Sequence, residues 1–325
     1  MLALAEISPW YWGAFIVCVL IFLALDLGVF HREPREVKYK EALVWTILWF
    51  SLAVLFAGGL ALLRSRKEAV EFFTGYFIEL SLSMDNVFII ALIFTFFRVP
   101  VLYQHRVLFW GILGALVMRG MMIWVGVELI SRFEWVLYVF GAFIVITGLK
   151  MLFGKDTGVD PETSFVVSGV RKLFPVAPDF DGQKFFTWAN GRRAMTPLFL
   201  VLLLVETTDL LFAVDSIPAI FGVTRRSFIV FTSNVFAILG LRTLYFILAG
   251  AIGLFRFLKT GLSIVLVFIG AKMLLDPHDD PPRWFQVDIP DSLALVVVVL
   301  IIGVSIVASK LVAERKPASG GGSGA

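Results

Sequence analysis

Nine stretches of this chain are apolar for long enough to cross a bilayer, with polar segments between them. A spanning helix needs about 20 predominantly apolar residues. The pattern predicts helices over 9–30, 42–63, 70–97, 107–130, 134–153, 195–221, 228–250, 257–275 and 291–311. The expected fold class is therefore an all-α polytopic membrane protein. The first run lacks a positively charged leader, so it is expected to stay as a helix. The one long connection, 154–193, is expected to hold a short helix over 164–174 and a hairpin at Asn190-Gly191. The closing Gly-Gly-Gly-Ser-Gly-Ala, 320–325, reads as a tag remnant.

Composition agrees with this pattern. The chain of 325 residues is 59% hydrophobic and 16% charged, and its mean hydropathy is +0.91. A soluble domain cannot hide that much apolar surface. The net charge of +3 sits in the loops and speaks to topology, not to nucleic acid. Lys and Arg concentrate in alternate connections, such as Arg32 to Lys40, Lys155 to Arg193 and Lys310 to Lys316. The positive-inside rule makes these cytoplasmic, with the N-terminus outside and the C-terminus inside. A bacterial-type inner membrane is the expected location. A lone cysteine, Cys18, excludes an intrachain disulfide and a multi-cysteine metal site. None of the three histidines lies deep in an apolar run, which argues against zinc or haem between the helices.

Five carboxylates break the apolar pattern. Glu79 and Asp85 lie in the third run, and Glu206, Asp209 and Asp215 in the sixth. Charged and unpartnered, they would cost about 12–18 kcal/mol at mid-bilayer. Protons, arginines or a metal cation must offset that. The two segments also align with each other. Glu79 precedes Asp85 by six residues, as Asp209 precedes Asp215. Each pair is followed by an intramembrane arginine, Arg119 or Arg242, and then by Gly148-Leu-Lys150-Met or Gly270-Ala-Lys272-Met. Each copy holds three helices, so the second enters from the opposite face. This is the 3+3 inverted repeat of many secondary transporters, whose sites lie at the midplane. The expected organisation is 1–69 (two leading helices), 70–153 (first repeat), 154–193 (linker), 194–276 (second repeat) and 277–319 (last helix).

The available ligands are oxygens. Asp85, Asn86, Glu206, Asp209, Asp215 and Glu79 are the candidate metal ligands, with Asn234, Ser83 and Thr208 as additional donors. Carboxylate and carbonyl sites suit Mg²⁺, Ca²⁺ or Mn²⁺. Residues six apart leave a continuous helix in different directions, so Asp85 and Asp215 would join the others only if the helices unwind there. Pro218, which cannot bond to the Val214 carbonyl, favours such a break in the second copy. Arg119 and Arg242 would balance charge, most of all for Glu79 and Asp209. Met84 offers a thioether that would favour Mn²⁺ over Mg²⁺, although a methionine among apolar residues is usually packing. Asp26 and Glu128 near helix ends read as interfacial anchors. No phosphate-binding Gly-rich motif is present, so ATP is not the expected driver. No catalytic site and no organic cofactor are expected, and a membrane hydrolase is disfavoured.

At these residues the chain resembles the TerC family of integral membrane proteins. The resemblance is carried by Phe73-Thr-Gly-Tyr-Phe-Ile-Glu79, by Ser83-Met-Asp85-Asn86-Val-Phe and by Phe212-Ala-Val-Asp215-Ser-Ile-Pro-Ala-Ile-Phe. Phe140-Gly-Ala-Phe and Thr232-Ser-Asn234-x-Phe-Ala-Ile-Leu-Gly-Leu-Arg242 extend it. It implies Mn²⁺ efflux, metal homeostasis and an old link to tellurite resistance; protons are the expected coupling ion. It also implies kinship with small LysE-type exporters. Its implied partners, beyond the bilayer and a divalent ion, are secreted metalloproteins or the translocation machinery. Two alternatives stay open: a metal chaperone supplying manganese to secreted proteins, and transport of another cation such as Ca²⁺.

Overall fold

The computed structural model describes residues 8–25, 39–154, 174–189, 191–249, 257–275, 286–287 and 289–314. Nine helices lie among them: α1 Pro9–Leu25, α2 Tyr39–Leu63, α3 Arg66–Phe96, α4 Val101–Arg132, α5 Val136–Phe153, α6 Pro197–Phe221, α7 Ser227–Ala249, α8 Leu258–Leu275 and α9 Asp291–Glu314. Eight are long and apolar enough to cross a membrane, and α1 is a shorter apolar helix. The expected helix over 164–174, Asp26 and the 320–325 tail lie outside the described residues, Phe174 excepted.

Helices α3 and α4 start at least a full turn earlier than the hydrophobic pattern predicts. Helix α3 begins at Arg66 because Ser65 caps it: the Glu68 N–H donates to the Ser65 hydroxyl at 3.1 Å. Helix α4 begins at Val101, directly after Pro100. Glu128, near the other end of α4, accepts from Arg132 Nε at 2.7 Å, as an interfacial pair would. The expected unwinding is not found. Helix α3 is continuous through Asp85, and α6 through Asp215. Pro218 stands in the last turn of α6, where one missing hydrogen bond has almost no helix left to disrupt.

Apolar side chains cover the outside of the bundle, and its charged and amide side chains are buried within an otherwise apolar interior. Leu55, Leu62, Trp124, Leu300 and Val304 are exposed, while Glu79, Asn86, Arg119, Asp209, Asn234 and Lys272 are buried. Without water in the bilayer core, polar groups gather in the interior of the bundle. Helix α3 runs through the centre, against α7, α6, α2 and α9, while α4 packs on α6 and α5 on α8.

The α5–α8 contact is reciprocal. A Cβ on Gly148 would stand 2.8 Å from Val267 Cγ2 and 2.9 Å from Ser263 O. A Cβ on Gly270 would stand 2.8 Å from Val145 Cγ2 and 2.9 Å from Gly141 O. Each glycine meets the residues three and seven positions before the other, so the two backbones touch through matched gaps. The aligned lysines differ: Lys150 is exposed, whereas buried Lys272 donates to Gly222 O at 3.3 Å and Asp291 Oδ1 at 3.1 Å.

The expected hairpin forms. Strands β1 Phe186–Ala189 and β2 Arg192–Met195 pair antiparallel, with Ala189 opposite Arg192. Gly191 takes φ +74° in the tight turn, a conformation that glycine adopts freely.

Candidate functional site

The centre of the bundle is organised by Arg119 of α4. Its Nη2 donates to Asp209 Oδ1 at 2.9 Å and its Nε to Asp209 Oδ2 at 3.1 Å. That side-on fork is the strong geometry for a guanidinium and a carboxylate. Nη1 donates to Glu79 Oε1 and reaches Ser216 Oγ and Asn234 Oδ1, each at 3.3 Å. Two amides close the network from opposite sides. Asn86 Nδ2 donates to Asp209 Oδ1 at 2.6 Å, and Asn234 Nδ2 to Glu79 Oε2 at 3.1 Å. Ser83 adds a bond to Glu79 Oε1 at 3.2 Å.

Helical periodicity explains why these side chains meet. Glu79, Ser83 and Asn86 fall on one face of α3, and Glu206 and Asp209 on one face of α6. The pairing expected for Glu79 and Asp209 is present, with one arginine serving both. Arg242 is buried on α7 and lines a narrow cleft together with Asn86, Asp209, Ala115 and Tyr245. Thr208 is not in the network: its hydroxyl donates to Leu204 O of its own helix at 2.7 Å. Asp85 is half-buried. Asp215, also half-buried, accepts from Thr147 of α5 at 3.4 Å. Among the described residues no three His, Cys, Asp or Glu side chains stand close enough together to hold a metal ion. The acids gather around a guanidinium instead.

Two buried oxygens beside this network lack a hydrogen-bond partner in the structure: Asn86 Oδ1 and Glu206 Oε2. Asn86 bonds directly to Asp209, and Glu206 lies one turn before Asp209 on α6. Both are acceptors, so donors or a cation would satisfy them. The Glu206 carboxyl lies against Gly114 of α4, within the space a Cβ there would take. Nothing in the hydropathy pattern marks Gly114 or Thr147; only the packed bundle shows them.

A second ionic cluster lies at the start of α3. Thr224 donates to Glu71 Oε2 at 2.7 Å, Arg226 pairs with Glu68, and Arg64 Nε meets Glu68 Oε2 at 2.6 Å. The aliphatic pattern missed it because Glu68 precedes the run that predicted this helix and Glu71 stands at its very start.

Apolar helices facing outward around a buried charged network define a polytopic integral membrane protein. Residues 64–317 match the model of the integral membrane protein TerC family. The chain belongs to the TerC family. It is 50% identical over 312 residues to the uncharacterised membrane protein STKORF319 of Myxococcus xanthus, covering 96% of this chain and 95% of that one. It is 46% identical over 277 residues to Alx of Escherichia coli strain K12, provisionally named a membrane-bound redox modulator, covering 82% and 86%. An uncharacterised membrane protein of Rickettsia bellii is 38% identical over 284 residues, covering 87% and 94%. No solved structure matches at a significant level.

Proposed function

We infer that the protein is a secondary transporter that exports a divalent cation, Mn²⁺ above others, in exchange for protons. The observation that carries this reading is the pair of buried, unpartnered acceptor oxygens, Asn86 Oδ1 and Glu206 Oε2, beside an acid cluster that one arginine incompletely neutralises. Glu79 and Asp209 carry two negative charges against the single positive charge of Arg119. Asp85, Glu206 and Asp215 lie on the same two helices. An oxygen set of this kind suits hard divalent ions.

In this reading Arg119 holds the place of the cargo. A cation that approaches Asp209 and Glu206 displaces the guanidinium or protons, and their return expels it. The repeat supplies the two faces of access, and the reciprocal glycine seam between α5 and α8 is what an inverted repeat would produce. Export from the cytoplasm of a bacterial inner membrane, with the N-terminus outside, belongs to the same proposal. The redox role in the name of the Alx relatives is said of those proteins. This chain has one cysteine and cannot form an internal disulfide.

Mn²⁺ flux in proteoliposomes under an imposed pH gradient tests the reading. Flux is expected for the parent chain and is expected to fall strongly in Glu206→Gln and Asp215→Ala. No flux in any of them would overturn the exporter. Flux unchanged by both substitutions would overturn the site.

A further inference from the structure

The β1–β2 hairpin stands apart from the buried network, yet it is firmly tied to the bundle. Thr196, which precedes α6, donates its N–H to Phe185 O at 2.9 Å and its hydroxyl to Lys184 O at 2.7 Å. The Phe185 ring lies edge-on to Trp110 of α4 and Phe199 of α6, with centroids 6.5 and 6.0 Å away. The Arg106 guanidinium covers Phe185 at 5.1 Å. The base of the hairpin is thus fixed where α6 enters its apolar span. A four-residue strand reaches only about 13 Å, and the headgroup zone on each side of the bilayer core is about 5–8 Å deep. The tip therefore stays at the level of the headgroups or just beyond.

The two faces of β1 differ. Thr187 turns to Asp181, to which it donates at 2.8 Å. Phe186 and Trp188 turn the other way and are 53% and 71% exposed. The Phe186 ring lies 4.7 Å from Phe199, so this face continues onto the flank of α6. Opposite Trp188 in the register stands Arg193, whose guanidinium lies over the indole at 5.8 Å. Arg192 and Arg193 are both exposed and make no ion pair among the described residues. Of the neighbouring acids, Asp181 is taken up by Lys184 at 3.1 Å, and Asp179 is exposed. Two aromatic rings and two exposed guanidinium groups without an ion pair among the described residues, on a short arm at headgroup depth, match the chemistry of a lipid surface. Amphipathic rings favour the interface, and arginines are drawn to anionic headgroups.

We propose that the β1–β2 hairpin seats on anionic phospholipid headgroups, with Phe186 and Trp188 in the interface and Arg192 and Arg193 on the phosphates. Binding there would brace the mouths of α4 and α6, the helices that carry Arg119, Glu206 and Asp209. The proposal stands whatever ion the bundle carries.

The test uses the full chain with its single cysteine removed by Cys18→Ser and an environment-sensitive fluorophore placed through Trp188→Cys. Vesicles of phosphatidylcholine, with or without phosphatidylglycerol, include a lipid spin-labelled near its headgroup. Quenching by that lipid is expected with phosphatidylglycerol and is expected to be much weaker without it. Arg192→Glu with Arg193→Glu is expected to weaken seating about tenfold or more and so to abolish the difference. The comparison of lipids needs no charge-reversed variant, so a folding defect in that variant leaves the test intact. A fluorophore quenched by aqueous iodide and not by lipid, in both compositions, overturns the proposal. Equal lipid quenching in both compositions overturns it too. Protection from both quenchers overturns it in favour of a protein partner or a second copy of the chain.

Discussion

Helix α3 carries two ionic clusters of similar chemistry and opposite character. At its start, Glu68 and Glu71 meet Arg64, Lys67 and Arg226, with Thr224 as an added donor. Three turns further on, Glu79 and Asp209 pair with one cation among the described residues, Arg119, with Ser216 and two asparagines as the polar surround. The first cluster has one cation more than it has acids. The second has one fewer. The Arg226 side chain is 34% exposed and the Arg119 side chain 2%. Arg226 opens one side of the outer cluster to water although Glu68 and Glu71 are themselves buried, whereas the cation of the inner cluster is enclosed with its acids. The outer cluster fastens α3 to the α6–α7 connection. The inner one is left short of positive charge where the bundle is driest.

The largest expected effect is that of Arg119→Gln. It leaves two carboxylates buried without a counter-charge and should cost about 3–5 kcal/mol, read as a lowered unfolding midpoint in mild detergent. Adding Glu79→Gln should recover part of it. A variant as stable as the parent would erase the contrast between the clusters. Next comes Gly114→Ala, which pushes the Glu206 carboxyl out of its slot and should lower Mn²⁺ flux about tenfold, as loss of a positioning contact does in metal sites. The shorter acid of Glu206→Asp in the same chain should restore flux. If it does not, Gly114 serves helix packing alone. Arg226→Gln in the outer cluster should cost less, about 1.5–2 kcal/mol, because Arg64 and Lys67 still answer Glu68 and Glu71. A loss equal to that of Arg119→Gln would show the outer cluster to be equally desolvated.

Two smaller effects refine the picture. Thr147→Val removes a long 3.4 Å bond to Asp215 and should change stability by about 0.5 kcal/mol. Asp181 is held below the ordinary value of 3.8 by the Thr187 hydroxyl first and Lys184 second. Its contribution is complete above that value and fades as pH falls through the lowered folded value. Proteolytic nicking of the hairpin should therefore rise below about pH 4, and Asp181→Asn should show no such step.

Much of this was legible because a bilayer reads composition directly. Nine apolar runs gave nine helices, and Glu79, Arg119, Asp209, Arg242 and Lys272, which interrupt them, are buried. The i, i+3, i+4 rule placed Glu79, Ser83 and Asn86 together, as it did Glu206 and Asp209. Partner choice was not legible. Arg119 and Arg242 look alike along the chain, and only packing shows that one guanidinium serves both Glu79 and Asp209. The expected break near Asp215 failed because a proline in a last turn has little helix to disturb. Gly114 was invisible because what it contributes is an absence of atoms.

Arg119 also sets a limit on how tightly the bundle can hold any positively charged visitor. A guanidinium on its own chain is a competitor that cannot diffuse away. Tethered groups act at effective concentrations on the order of millimolar. An ion that reaches Glu79 and Asp209 must outcompete a rival that is always present. Retention is therefore weakened at the place where acidic density is highest, and the interior is better suited to passing a cation along than to storing one.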